Sequence, residues 1–361
     1  GHVWLFERAT GKSLFPYHEI AVPPSDVEGE KLAAKQVLPL MPVPFARQQL
    51  TGDLITDRTP AAHDDVLQRF RQLRSGPQFT PPSKEGTVIF PGFDGGGEWG
   101  GGAWDPETGL FYINANEMAW IARLVERKLP QHQTGKSSYL RYCASCHRDD
   151  MSGAPPEFPA LTSLAGRRTE DQVRTVMMKG AGRMPGFSHL KPAVSDAIVA
   201  WLMKGEDKEL IDEPATPSPI DQKYRLDGYV RFLDPDGYPA VKPPWGTLNA
   251  LNLNTGEYAW RQPFGEIPAL GRKDTGSENY GGAVVTAGGL LFIAATNTDH
   301  KMHAFDKRTG KLLWEFTLDA AGNATPATYM ANGKQYVVIG AGGGKWGNAS
   351  GGTYFAFTLP D

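Results

Sequence analysis

Cysteine is almost absent from this 361-residue chain: there are two, Cys143 and Cys146. A disulfide-stapled fold is therefore excluded. Charge of one sign is lacking as well. With 37 Lys+Arg against 40 Asp+Glu the net charge is −3, which removes a broad electrostatic case for binding nucleic acid. A content of 21% charged and 40% apolar residues likewise excludes a disordered tail. No apolar run reaches the ~18 residues that a membrane-spanning helix needs. The longest, Ala283 to Ala295, is broken by Thr286, Gly288 and Gly289 and reads as a strand. No secretory leader opens the chain, which begins Gly1-His2-Val3-Trp4 inside a strand-like run. That beginning raises the expectation of the C-terminal part of something longer.

What is plentiful is glycine (42), proline (29) and aromatic residues (17 Phe, 12 Tyr, 9 Trp). Turns consume glycine for positive φ and proline for fixed φ, and aromatics fill the space between sheets. The balance points to a many-turned β protein with enough length for one large domain or two ordinary ones.

Both cysteines sit in Tyr142-Cys143-Ala144-Ser145-Cys146-His147. CxxCH is the attachment motif of a c-type haem: two thiols on a helical turn bond the porphyrin edge and the next histidine ligates iron. A zinc half-site would need two more ligands, yet there is no other cysteine and the next imidazole is His189. A thioredoxin-type pair would need a βαβ frame that the surrounding sequence lacks. The flanks support haem. Gly135 to Leu140 reads as a short helix with Tyr139 four residues ahead of Cys143. A loop with Pro155, Pro156, Pro159 and Leu161 follows. Thr169-Glu170-Asp171-Gln172 has the form of a capping box and opens a helix through Val173, Val176 and Met177. Val194, Ile198, Trp201 and Leu202 make an amphipathic closing helix.

The segment from Gly135 to about Lys208 resembles a class I cytochrome c. That resemblance implies one covalent haem c, with His147 and the Met184 of a Met-Pro pair as axial iron ligands. Thioether ligation makes such a site an electron acceptor rather than an oxygen binder. Met177 and Met178 read as helical core, and His189 would give a bis-histidine site. The segment carries 11 Lys+Arg and 8 Asp+Glu, so it is cationic in an anionic chain.

A second pattern repeats: apolar-x-Asp/Glu/Asn-x-x-Thr-Gly, then an aromatic. It occurs at Leu5 to Gly11 with Phe15, at Ala103 to Gly109 with Tyr112, at Ala250 to Gly256 with Trp260, and at Ala304 to Gly310 with Trp314. Each reads as strand, tight turn, strand, and four such units argue for blades of a β-propeller. The Thr-Gly-x-x-x-Trp form resembles the blades of quinoprotein dehydrogenases, which use pyrroloquinoline quinone (PQQ). Gly86 to Gly92 with Glu98-Trp99-Gly100-Gly101, Gly281 to Gly288 and Gly333 to Val338 look most like the sugar-oxidising branch.

The expected fold is therefore mostly β: part of an eight-bladed propeller with an all-α cytochrome inserted between two blades. Its division is 1–130, 131–210 and 211–361. The resemblance implies quinone contacts at Asn116, Tyr280 and Trp346. It places the catalytic base, the calcium ligands and a quinone-contacting lysine upstream of residue 1. The chain alone should then lack dehydrogenase turnover and need an N-terminal propeller half. Two kinds of glycine-containing stretch are decoys: Gly11-Lys12-Ser13 and Gly135-Lys136-Ser137 lack the first glycine of a P-loop, and glycines 95–97 and 100–102 precede no helix.

The function these features imply is a periplasmic quinohaemoprotein that oxidises an aldose to its lactone and passes electrons through the haem to a cytochrome or quinone. Three alternatives remain at this point: a quinoprotein alcohol dehydrogenase, a haem nitrite reductase-like propeller, and a non-enzymatic propeller carrying an electron carrier.

Overall fold

Alternating burial and tight polar turns organise most of the chain. A computed structural model describes residues 1–127, 132–155, 158–214, 223–343 and 350–360. These divide into two compact units: Gly1–Pro81 with Thr87–Ile121 and Arg231–Asp361, and Pro82–Gly86 with Ala122–Val230.

The first unit is mostly β. One four-stranded antiparallel sheet has the order Glu257–Pro263, Gly246–Asn252, Leu110–Asn116, Ala103–Asp105, and a second runs Ala283–Val285, Leu290–Ile293, Lys301–Asp306, Leu312–Thr317. A third sheet holds Ala327–Ala331, Lys334–Gly342 and Gly352–Phe357. Burial falls across the sheets from inner to outer strands: Gly246–Asn252 is buried on both faces, Lys334–Gly342 alternates, and Leu312–Thr317 is exposed along its length. Tyr112, Leu248, Phe264, Leu291, Ile293 and Phe305 form one core, and Met302, Leu318, Val337 and Ile339 another. The helix α1, Pro60–Phe70, starts on Thr59, whose hydroxyl accepts from the Ala62 N–H.

All four repeats close on the same turn. The N–H of Gly11, Gly109, Gly256 and Gly310 donates to the carbonyl four residues earlier, at 2.8–2.9 Å, with glycine φ between +70° and +77°. Asp105 and Asp306 cap their turns by accepting from Thr108 and Thr309 hydroxyls. Trp260 reaches the next repeat, its indole donating to the Lys307 carbonyl at 3.2 Å.

The architecture corrects the expected blade assignment. The repeats at 103–112 and 250–260 lie in one sheet, because Leu110–Asn116 pairs with Gly246–Asn252 from Asn116↔Gly246 to Leu110↔Asn252. The chain therefore leaves from inside a blade after Asn116 and rejoins it at Gly246, rather than crossing between two blades. The first repeat makes only the single bridge Phe6↔Ser13. The run Ala283–Ala295 is a hairpin rather than one strand: Thr286 Oγ1 bonds with Leu290 and Gly289 takes φ +96°. Glu98 to Gly101 is a turn, closed by the Gly101 N–H on the Glu98 carbonyl.

The second unit holds four further helices: α2 Gly135–Tyr142, α3 Ala144–His147, α4 Glu170–Lys179 and α5 Pro192–Lys204. Thr134 with Ser137, and Thr169 with Gln172, form full capping boxes. Helices α2 and α5 cross at Gly135, where a Cβ would stand 2.4 Å from the Ala197 carbonyl oxygen. The unit also holds two short antiparallel pairs, Leu124–Glu126 with Tyr224–Leu226 and His132–Thr134 with Glu209–Pro214. No helix among the described residues is long and apolar enough to cross a membrane.

Candidate functional site

Helix α2 runs into α3 through Cys143, whose N–H donates to Tyr139 and whose carbonyl accepts from His147. This continuity places Cys143 and His147 on the wall of one cavity of about 570 Å³, within the ~300–1,000 Å³ range of ligand pockets. Met177 and Val173 of α4, Ile198 and Leu202 of α5, Leu161, Leu164 and Met184 supply an apolar lining, with Arg167, Arg168 and Gln172 as polar members.

His147 is buried, and its Nδ1 lies 2.9 Å from the Pro159 carbonyl. A carbonyl only accepts, so Nδ1 carries the proton and Nε2 keeps its lone pair for a ligand. Burial lowers the imidazole's pKa, partly offset by that hydrogen bond, which favours the neutral, ligating form. The buried Cys143 thiol is pushed up to about 12 by desolvation, with Cys146 adding to it. A thiol held protonated is a poor zinc ligand or redox nucleophile. Both cysteines are free of disulfide.

The methionine geometry leaves two sulfurs at the cavity. Met177 is buried on α4, while Met184 is half-buried in a tight loop with reciprocal Ala181–Met184 backbone bonds at 2.9 and 3.0 Å. His189 is exposed, its ring tilted against Phe187, and neither it nor Met178 lines the cavity. The residues present fit a c-type haem: an apolar slot, a lone pair of fixed tautomer, a cysteine at the wall and a thioether across it.

Of the expected quinone contacts, Asn116 is hydrogen-bonded to Asn279, the chain neighbour of Tyr280. Asn116 is fully buried, and its Nδ2 donates to the carbonyls of Asp94 (3.0 Å) and Asn279 (2.9 Å) while its Oδ1 accepts from the Asn279 N–H (2.8 Å). Through these bonds Asn116 ties its own strand to the segments that carry Asp94 and Asn279. Asn114 and Asn279 share that joint through 2.6 Å and 3.1 Å bonds, and neither was visible as a site in the sequence. Tyr280 is buried, at 1% exposure. Trp346 lies outside the described residues. Glu117, beside Asn116, is buried but ion-paired with Arg47, which also donates to the Lys242 and Pro244 carbonyls. That pairing does not suit a general base. Among the described residues no three His, Cys, Asp or Glu gather as a metal site.

The chain matches the family described as "PQQ: Glucose/ethanol/alcohol dehydrogenase, beta-propeller domain" over residues 1–162 and 165–337. It is 30% identical over 374 residues to quinoprotein glucose dehydrogenase of Escherichia coli K12, covering 100% of this chain and 38% of that protein. It is 29% identical over 373 residues to probable quinate dehydrogenase (quinone) of Xanthomonas campestris pv. juglandis, again covering 100% and 38%. A stretch equal to 24% of the chain is 41% identical over 96 residues to 14% of 1-butanol dehydrogenase (cytochrome c) of Thauera butanivorans. The chain thus spans less than two fifths of the length of the two relatives that it matches throughout.

Proposed function

The chain belongs to the PQQ glucose/ethanol/alcohol dehydrogenase β-propeller family, and on that footing we propose that it is part of a periplasmic quinohaemoprotein oxidising a sugar hydroxyl. The electrons would leave through one haem c bonded to Cys143 and Cys146. The observation that carries this reading is the cavity shared by Cys143, His147 and Met184 in a chain of that family. The Pro159 carbonyl holds the His147 ring in one tautomer, residues of α4 and α5 supply apolar lining, and His147 with Met184 would hold the iron of a haem bound there. When bound, PQQ and calcium supply two-electron oxidation of the CH–OH group and the haem a one-electron relay. Asn116, Tyr280 and Trp346 are proposed as the quinone-side contacts on the ground of the family resemblance, and no proton transfer is assigned to any of them. The helical stretch within 122–230 is proposed as the haem-bearing insert, and the four-stranded sheet that it interrupts, with the sheets that follow in the chain, as propeller blades. The downstream acceptor is a one-electron carrier or a quinone.

The test is expression in a host with haem-attachment machinery. Intact mass and the pyridine haemochrome spectrum should show one covalent haem, lost in Cys143→Ala. A colourless protein ends the haem half of the proposal. Dye reduction by the full-length parent with PQQ and calcium, across aldoses and primary alcohols, tests the rest. Turnover of alcohols alone would replace the sugar assignment.

A further inference from the structure

The loop after the CxxCH motif carries Arg148 and Asp149, and one strand answers both. Asp227 lies 3.4 Å from Arg148 Nη2, and Arg225 is ion-paired with Asp149. The second pair is lopsided. The Arg225 side chain is 6% exposed and that of Asp149 is 50% exposed. Arg225 Nη1 also donates to the Leu226 carbonyl at 2.9 Å. The cation lies within electrostatic reach of the Tyr139 hydroxyl, which donates to the carbonyls of Arg148 at 2.6 Å and His147 at 3.3 Å. A desolvated positive charge therefore stands behind the backbone of the histidine at the cavity wall. Its field is strong where dielectric is low, whereas water weakens but does not remove the opposing field of the half-exposed Asp149, and Asp227, the other anion near Arg225, also faces Arg148.

We propose that Arg225 is a redox-positioning residue: its buried charge favours the reduced state of an iron bound at His147 and keeps the potential of that site high. This rests on the haem reading above. A haem held at His147 would supply one-electron transfer with no bond formed or broken, taking its electron from a reduced quinone cofactor and passing it to a one-electron acceptor; Arg225 would contribute only its fixed charge. Reduction removes one unit of positive charge, so a fixed cation favours it.

Spectroelectrochemical titration of the haem-loaded protein tests the assignment. Arg225→Met should shift the ferric/ferrous ratio at a fixed potential about threefold toward ferric, or about 28 mV at 59 mV per tenfold change for one electron. Asp149→Asn, at the exposed end of the pair, should shift the ratio toward ferrous, and Arg225→Lys should restore it. The far-red thioether–iron band should stay in all three. Shifts of the two neutralising variants in the same direction, or no shift in Asp149→Asn, would overturn the proposal. If Arg225→Met fails to fold, Asp149→Asn still decides. Absence of covalent haem from the unaltered protein instead refutes the underlying reading.

Discussion

Met184 and Met177 present two thioethers to one cavity, and their surroundings separate them. Met177 belongs to the apolar core around Tyr139 and Ile198, whereas Met184 only packs against its edge from a loop. Met184→Ala should abolish the far-red sulfur-to-iron charge-transfer band of the oxidised haem while haem stays covalently attached. An unchanged band would transfer the role to Met177. A second residue, Lys307, is legible only in three dimensions. Its side chain is 2% exposed and its Nζ lies 3.0 Å from Asp105 and 2.8 Å from Glu107. Burial pushes the Asp105 carboxyl up, but hydrogen bonds from the Thr108 hydroxyl, the Lys307 ammonium and the Glu107 N–H outweigh it, so it titrates below its ordinary value. Lys307 titrates above its own, chiefly through Glu107. Lys307→Met should cost about 3 kcal/mol of unfolding free energy, since it leaves a buried carboxylate unpaired. A depressed Asp contributes stability above its unfolded pKa and loses it as pH falls through the native one. The gap between the two proteins in denaturant titrations should therefore be widest between about pH 5 and 10 and narrow below about pH 4.

At the scale of elements, the helical unit depends on one close crossing. Gly135 opens α2 where α5 passes, and the Ala197 oxygen and the Trp201 Cβ occupy the space that a side chain would need. The glycine is visible in the sequence, but there it reads as a helix start or the remnant of a P-loop. Its use as a contact depends on a partner some sixty residues away in the chain. Gly135→Val should lower stability by about 1–3 kcal/mol through overpacking, seen as a lower melting temperature of the haem-bearing protein with its Soret band intact at low temperature. A variant that melts like the parent would show that α2 and α5 can separate without cost. The capping boxes at Thr134 and Thr169 contrast with this crossing. Their partners are three residues away, so a local reading suffices, and the one at Thr169 was read from its four residues.

At the scale of the molecule, the strand Tyr224–Leu226 pairs with Leu124–Glu126, and it and the residue after it bring Arg225 and Asp227 to the loop after His147. These strands fall outside the cytochrome-length segment read from the sequence. A fragment of 122–230 should therefore hold its haem to a higher melting temperature than one of 131–210, measured by loss of the Soret band. Equal melting temperatures would mean that the flanking strands contribute nothing to the fold around the motif.

The sequence by itself determined what short range controls. The CxxCH spacing is chemistry within five residues, and the Thr-Gly turns follow from a capping side chain and a positive φ within four. Both survive without knowledge of anything distant, and with them came the family resemblance and the mostly β class. Tertiary structure alone decided which repeats share a sheet, because the pairing of Asn116 with Gly246 joins strands separated by the whole intervening unit and leaves no periodic trace. It also decided which segments Asn116 joins. An asparagine in a strand gives no sign of its partners, and only the carbonyls of Asp94 and Asn279 at hydrogen-bonding distance settle which segments it ties to its own strand.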